Sequence, residues 1–233
     1  MSRLRVALVS EGPTDAVVIQ AALKALLPRP FVLTVLQPDP ILPRLGGGWG
    51  GVLRWCCQFA GRGADNFEGD PTLHGFDLFI VHVDADVTDS SYGAINSEMA
   101  DLARGCSWPV LPQAFSCPPA AAGANFMRSC LLSWSSLVAP GPKTVLCVPS
   151  KAIESWVAAA MLADGHPTLQ GLECNPNVEG KLKILPVGQR IRKSLRNYRA
   201  CEAEITRAWD KVRLHCIQAE QFSADVRGIA GPA

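Results

Sequence analysis

Two apolar runs in this chain end on acids. Glu11 follows LRVALVS (Leu4–Ser10), and Asp84 and Asp86 close FDLFIVHVDAD (Phe76–Asp86). One strand ending on a carboxylate needs only a route to water; two ending alike point to a shared task. Ligands of open α/β sheets sit outside the carboxyl ends of the strands. Neighbouring, parallel strands would gather the three carboxylates at one edge, and alternation would turn Asp84 and Asp86 to the same side. Like charges about 4 Å apart cost roughly 4 kcal/mol per pair at an effective dielectric near 20. Such a cluster calls for shared protons or a cation. Hard oxygen donors without His or Cys pairs select Mg²⁺ or Mn²⁺, as one ion or two.

Nearby residues extend the set. Asp15, four residues after Glu11, could ligate directly, assist a ligand, or simply favour a helix N-terminus by about 0.3–1 kcal/mol. Gly12 suits a close backbone approach or a turn, and Asp89 reads as an exposed loop acid. Glu154 stands four residues after Ser150, one too many for a capping box, so a role in the site is the better reading. Lys151 brings an ammonium to the same edge, where it can offset developing negative charge or stay solvated.

The elements that must position these groups are legible as a βαβ opening. LRVALVS reads as a buried strand, Pro13 starts a helix through AVVIQAALKALL, and FVLTVL (Phe31–Leu36) is a second strand. A parallel sheet with a right-handed crossover follows. GGGWGG (Gly46–Gly51) reads as a flexible loop before a helix from Val52 to about Gly61, and another helix is expected around Ser97–Arg104. KTVLCVPS (Lys143–Ser150) is a further buried strand running into KAIESWVAAAMLAD, and the chain is helical from Val178 with a break near Pro186. Trp156 and Trp209 read as core. The expected fold is α/β, a Rossmann-like, mainly parallel sheet flanked by helices. It places a core in residues 1–165 and a helical extension in 166–233.

At 233 residues and 48% hydrophobic, the chain can bury a full core without metal or disulfide staples. The nine cysteines are odd in number and lack any Cys-x-x-Cys pair, which reads as reduced thiols in a cytoplasmic protein. The N-terminal apolar run is too short for a signal peptide. Residues 105–127 carry no charge, but Pro109, Pro112, Pro118 and Pro119 break them. That segment reads as an irregular loop or cover, since a membrane span needs about 20 apolar residues in regular helix. Docking of a partner on Gly105–Pro142 is a further reading.

Charge is sorted along the chain. Residues 63–101 hold nine acids and no lysine or arginine; residues 181–199 hold Lys181, Lys183, Arg190, Arg192, Lys193, Arg196 and Arg199 and no acid. A cation-binding centre beside a wall for a polyanion would look like this, and so would two solvated faces that pair with each other.

VSEGPTD followed by FIVHVDADV resembles the TOPRIM superfamily of topoisomerases and primases, whose motif is a glutamate after the first strand and Asp-x-Asp after a later one. The likeness covers residues 4–150 in architecture but about a dozen residues in motif. IESWVAAAMLAD adds a resemblance to small stand-alone TOPRIM proteins related to the OLD (overcoming lysogenisation defect) nucleases of bacterial defence loci. The resemblance implies a TOPRIM-like core and a Mg²⁺- or Mn²⁺-dependent nuclease, with DNA favoured over RNA. It implies Glu11, Asp84 and Asp86 as metal ligands and catalytic groups, with Asp15 as a further ligand or assistant and Glu154 assisting in catalysis. Lys151 joins the catalytic set by its place at the same edge rather than by the resemblance. The seven bases would hold phosphates, and Tyr198 could stack a base. It also implies an ATPase partner and a place in anti-phage defence; self-association stays open. Two other classes remain: a catalytically silent binding or regulatory subunit, and a phosphotransfer enzyme for a small substrate, which leaves the basic segment without a task.

Overall fold

The computed structural model describes residues 3–39, 41 and 44–231. Its chain runs β1 (Leu4–Val9), α1 (Pro13–Leu26), β2 (Phe31–Gln37), α2 (Gly48–Ala60), β3 (Leu78–His82), α3 (Ser97–Gly105), α4 (Ala121–Trp134), β4 (Thr144–Cys147) and α5 (Glu154–Met161). Then come α6 (Val178–Lys183), α7 (Leu195–Arg207), α8 (Trp209–His215) and α9 (Ile217–Ala230), with short 3₁₀ turns between elements. The strands form one all-parallel sheet in the order β2-β1-β3-β4. The architecture is therefore the expected α/β one. Among the described residues no helix is long and apolar enough to cross a membrane.

Burial on both faces explains why β3, β4 and most of β1 are buried throughout rather than alternating, whereas β2 at the sheet edge alternates half-buried and exposed positions. Leu4, Val6, Leu8, Ile80, Val145 and Cys147 face a cluster built from α1, α5 and the C-terminal helices. Ala7, Val9, Phe79, Val81, Leu146 and Val148 face α2, α3 and α4. Trp156, Trp209 and Phe222 pack edge-on or tilted in the first cluster, so both tryptophans are core as expected. At the outer edge of β4, Arg128 of α4 donates to Leu146 O at 3.4 Å and to Gln218 Oε1 of α9 at 2.5 Å. That bridge covers an edge that would otherwise present open backbone groups.

Four expectations need correction. The glycine run is not a loop throughout, because α2 already starts at Gly48. A Cβ on Gly51 would run into the Gln37 amide and the Gly46 carbonyl, so the glycine serves close packing inside a helix. The uncharged stretch 105–127 is irregular only up to residue 120; α4 takes over at Ala121, clear of the prolines that hid it. The strand before the acids ends at His82 and turns into a 3₁₀ segment, Ala85–Asp89. The cysteines are not all free: Cys117 and Cys174 are bonded, with Cα atoms 5.4 Å apart, and seven thiols remain. Their partners lie far apart in the chain, so spacing carries no sign of the pair.

Candidate functional site

Parallel register brings the acids together. Val9 of β1 pairs with Val81 of β3, and His82 with Cys147 of β4. The three strands thus end on nearly one line, and the segments beyond carry Glu11, Asp84 and the loop into α5. The Asp84 amide donates to Glu11 Oε1 at 2.8 Å, and the Ile153 amide donates to Asp84 Oδ1 at 2.9 Å. The Asp86 amide reaches Lys151 O at 3.0 Å, which extends the β3–β4 pairing into the turn. Behind Glu11, the Gly48 amide at the start of α2 donates to its carbonyl at 2.8 Å. Gly12 is extended (φ −159°) and needs no special freedom; Pro13 opens α1 as expected.

Asp15, Asp84 and Glu154 are buried, Glu11 is half-buried, and Asp86 is exposed at the mouth. Burial, then repulsion from Asp15 and Asp86, pushes Glu11 up to about 8 against the Asp84 amide that opposes the shift. Burial raises Asp15 to about 6, with Glu154 adding to it and Lys193 opposing. Asp84 is raised well above the ordinary value by burial and by Glu11, Asp15, Glu154 and Asp86. Protein crowds Asp86 closely despite its exposure, and that desolvation, then Glu154, lifts it to about 6. Four carboxyls thus hold protons more tightly than they would in water.

The expected symmetry of Asp84 and Asp86 does not hold. With the strand over at His82, Asp84 turns inward as the residue before the 3₁₀ turn, while Asp86 lies within that turn and faces out. Glu154 is the first residue of α5 and its carboxylate accepts from Tyr198 OH at 2.7 Å and from Lys193 Nζ at 2.9 Å. Tyr198 is buried, so it cannot stack a base; its hydroxyl fixes Glu154 instead.

Lys193 is the residue whose role changes most. It belongs to the basic segment and is itself exposed, but its ammonium reaches Glu154 at 2.9 Å on the acid cluster. Burial opposes its charge, yet Glu154, Asp15 and Asp84 hold its pKa above the ordinary value. Lys181, Lys183, Arg190, Arg192, Arg196 and Arg199 are exposed, and among the described residues none forms a salt bridge. Arg190 folds back to donate to Leu185 O at 2.9 Å. Lys151 lies at the rim, paired with the exposed Asp89 at 3.2 Å.

His82 was not singled out from the sequence. It is fully buried, its Nδ1 lies 3.0 Å from Cys147 O, and its Nε2 has no hydrogen-bond partner. A carbonyl only accepts, so Nδ1 carries the proton and the Nε2 lone pair faces Asp84 Oδ1 at 3.7 Å. Burial pushes the ring down to about 4. Its position two residues before Asp84 on an alternating strand was the available signal.

Among the described residues, no three His, Cys, Asp or Glu side chains already form a closed set of metal ligands. The donors nevertheless suit a hard cation. Glu11, Asp84 and Glu154 each commit one oxygen to the hydrogen bonds above and leave the other outside them. An all-oxygen, multiply acidic set favours Mg²⁺ or Mn²⁺ over zinc. No protein-family model, curated protein or solved structure matched the chain.

Proposed function

We propose that the chain is a TOPRIM-type, Mg²⁺- or Mn²⁺-dependent phosphodiester hydrolase acting on nucleic acid, DNA before RNA, in the cytoplasm. One observation carries the reading. Glu11, Asp15, Asp84, Asp86 and Glu154 gather beyond the ends of adjacent parallel strands, with the charge on most of them opposed by burial and by one another. Glu11, Asp15, Asp84 and Asp86 would hold one or two divalent ions, and these supply a Lewis acid and an activated water when bound.

The chain's own groups do the rest. Asp84, anchored by the Ile153 amide, and Glu11, anchored by the Asp84 amide, keep their free oxygens at the sheet edge. Glu154 steers Lys193, whose ammonium is placed to offset charge on a phosphoryl oxygen. The exposed bases flanking Lys193 offer sequence-independent phosphate contacts. An ATPase partner and a role in anti-phage defence belong to the same proposal and rest on the resemblance alone.

Plasmid and single-stranded DNA incubated with Mg²⁺, Mn²⁺ or EDTA test the reading. Metal-dependent cutting is expected, reduced by on the order of a thousandfold in Asp84→Asn. One observation favours a silent binding module instead: exposed Lys193 already supplies the chain's own cation to Glu154. That reading expects DNA retention without cutting under any ion.

A further inference from the structure

The disulfide closes a ring of contacts around the turn that carries Asp84 and Asp86. On one side, the Gln113 amide donates to Thr88 O at 2.8 Å, joining the segment before α4 to the 3₁₀ turn. Gly123 in the first turn of α4 lies against the same turn, so that a Cβ there would sit 3.9 Å from Thr88 and 4.0 Å from Ala85. Cys117 lies between these two contacts and is bonded to Cys174. On the other side, Glu173, next to Cys174, accepts from Ser150 Oγ at 2.8 Å and from the Gln218 amide at 3.2 Å. Ser150 adjoins Lys151, whose carbonyl accepts the Asp86 amide. The circuit therefore runs Cys117, Cys174, Glu173, Ser150, Lys151, Asp86, Thr88, Gln113 and back, and the disulfide is its one covalent link between distant segments.

The other cysteines set this pair apart. Cys56, Cys130, Cys147, Cys201 and Cys216 are buried and unpaired, half-buried Cys57 and exposed Cys106 are also free, and the bridge residues are half-buried and joined to each other. A disulfide within reach of solvent is open to attack by an external thiolate, whereas a fully buried one is shielded from it.

We propose that Cys117–Cys174 is a redox-modification site, a substrate for dithiol reductants, whose oxidised form clamps the Asp84–Asp86 turn and whose reduced form releases it. A thiolate of the dithiol attacks one bridge sulfur, forming a mixed disulfide and expelling the other cysteine as a thiolate. The second thiol of the reductant then attacks the mixed disulfide and frees the remaining cysteine. The protein gains two electrons and two protons, and the dithiol becomes its own disulfide. The consequence for activity rests on the metal-site reading above; the clamp itself does not.

The test uses the full chain, one sample reduced with dithiothreitol and one oxidised with glutathione disulfide. Thiol mapping under denaturing conditions identifies the link, and amide hydrogen exchange reads the turn. The expected result is a Cys117–Cys174 link in the oxidised sample. Reduction should then speed exchange at Asp86 and Gln113 on the order of tenfold or more, while β1 is unaffected. Cys117→Ser with Cys174→Ser should exchange like the reduced protein under both conditions, and Cys106→Ala, at an exposed thiol, should keep the response. Failure of Cys117 and Cys174 to link, or equal exchange in the two wild-type samples, overturns the proposal without recourse to any variant. Because exchange is read without metal, that failure is separable from failure of the metal site.

Discussion

The two edges of the sheet both carry acids and treat them in opposite ways. At the edge where strands begin, Asp70, Asp77 and one oxygen of Glu68 have donors. Asp70 takes Arg62 at 2.7 Å and both the amide and hydroxyl of Thr72 at 2.8 Å. Asp77 accepts from the Arg5 amide at 2.8 Å, and Glu68 from the Lys143 amide at 2.5 Å. Burial works against the Asp70 charge, but Arg62 and Thr72 outweigh it and hold the carboxyl below its ordinary value. At the edge where strands end, the acids face one another and their carboxyls are raised. The first edge uses carboxylates to fasten turns. The second concentrates them beyond what stability alone would favour, which is where a ligand is expected to supply the missing charge.

Substitutions can break this contrast. Asp84→Asn, which keeps an oxygen for the Ile153 amide, carries the largest expected effect, the loss of cutting already described. Asp70→Ala should cost about 2–3 kcal/mol in urea unfolding, since Arg62 and Thr72 lose a shared buried acceptor. Glu11→Gln should do the reverse, raising the metal-free stability at pH 8 by roughly 1–3 kcal/mol. Equal destabilisation by both would erase the difference between the edges. Tyr198→Phe should cost about 1 kcal/mol by removing one donor to Glu154, and is the mildest change.

The pH profile sharpens the same comparison. Glu11 is raised from 4.5 to about 8, so within that window the folded chain keeps a proton that the unfolded chain has released. Metal-free stability should therefore fall as pH rises from 4.5 toward 8, with Asp15 and Asp86 contributing to about 6. Asp70 acts oppositely: its contribution is full above the ordinary carboxylate range and is lost as pH drops through its lowered folded value. Melting temperatures from pH 4 to 8 should thus peak on the acid side. Glu11→Gln should flatten the decline above pH 5.

The strand-end acids were legible because apolar runs and parallel βαβ order fix where Glu11 and Asp84 must emerge. Glu154 was legible by elimination of a simple capping role. Lys193 was not, because one base among seven looks like its neighbours until α7 folds back across α5. Tyr198 was obscured similarly: an aromatic in a basic helix suits a base-stacking surface, and only tertiary packing reveals its buried hydroxyl. The inward turn of Asp84 and outward turn of Asp86 depend on β3 ending at His82, a boundary that the continuous run FIVHVDAD conceals.

Mn²⁺ binding to the full chain at pH 7, followed by calorimetry in two buffers of different ionisation enthalpy, tests the central claim most directly. Glu11 still carries its proton at that pH. The expected result is saturable binding of one or two ions with proton release into the buffer, abolished in Asp84→Asn. No saturable binding by the folded wild-type chain, or equal binding by the variant, would contradict a metal site at this edge.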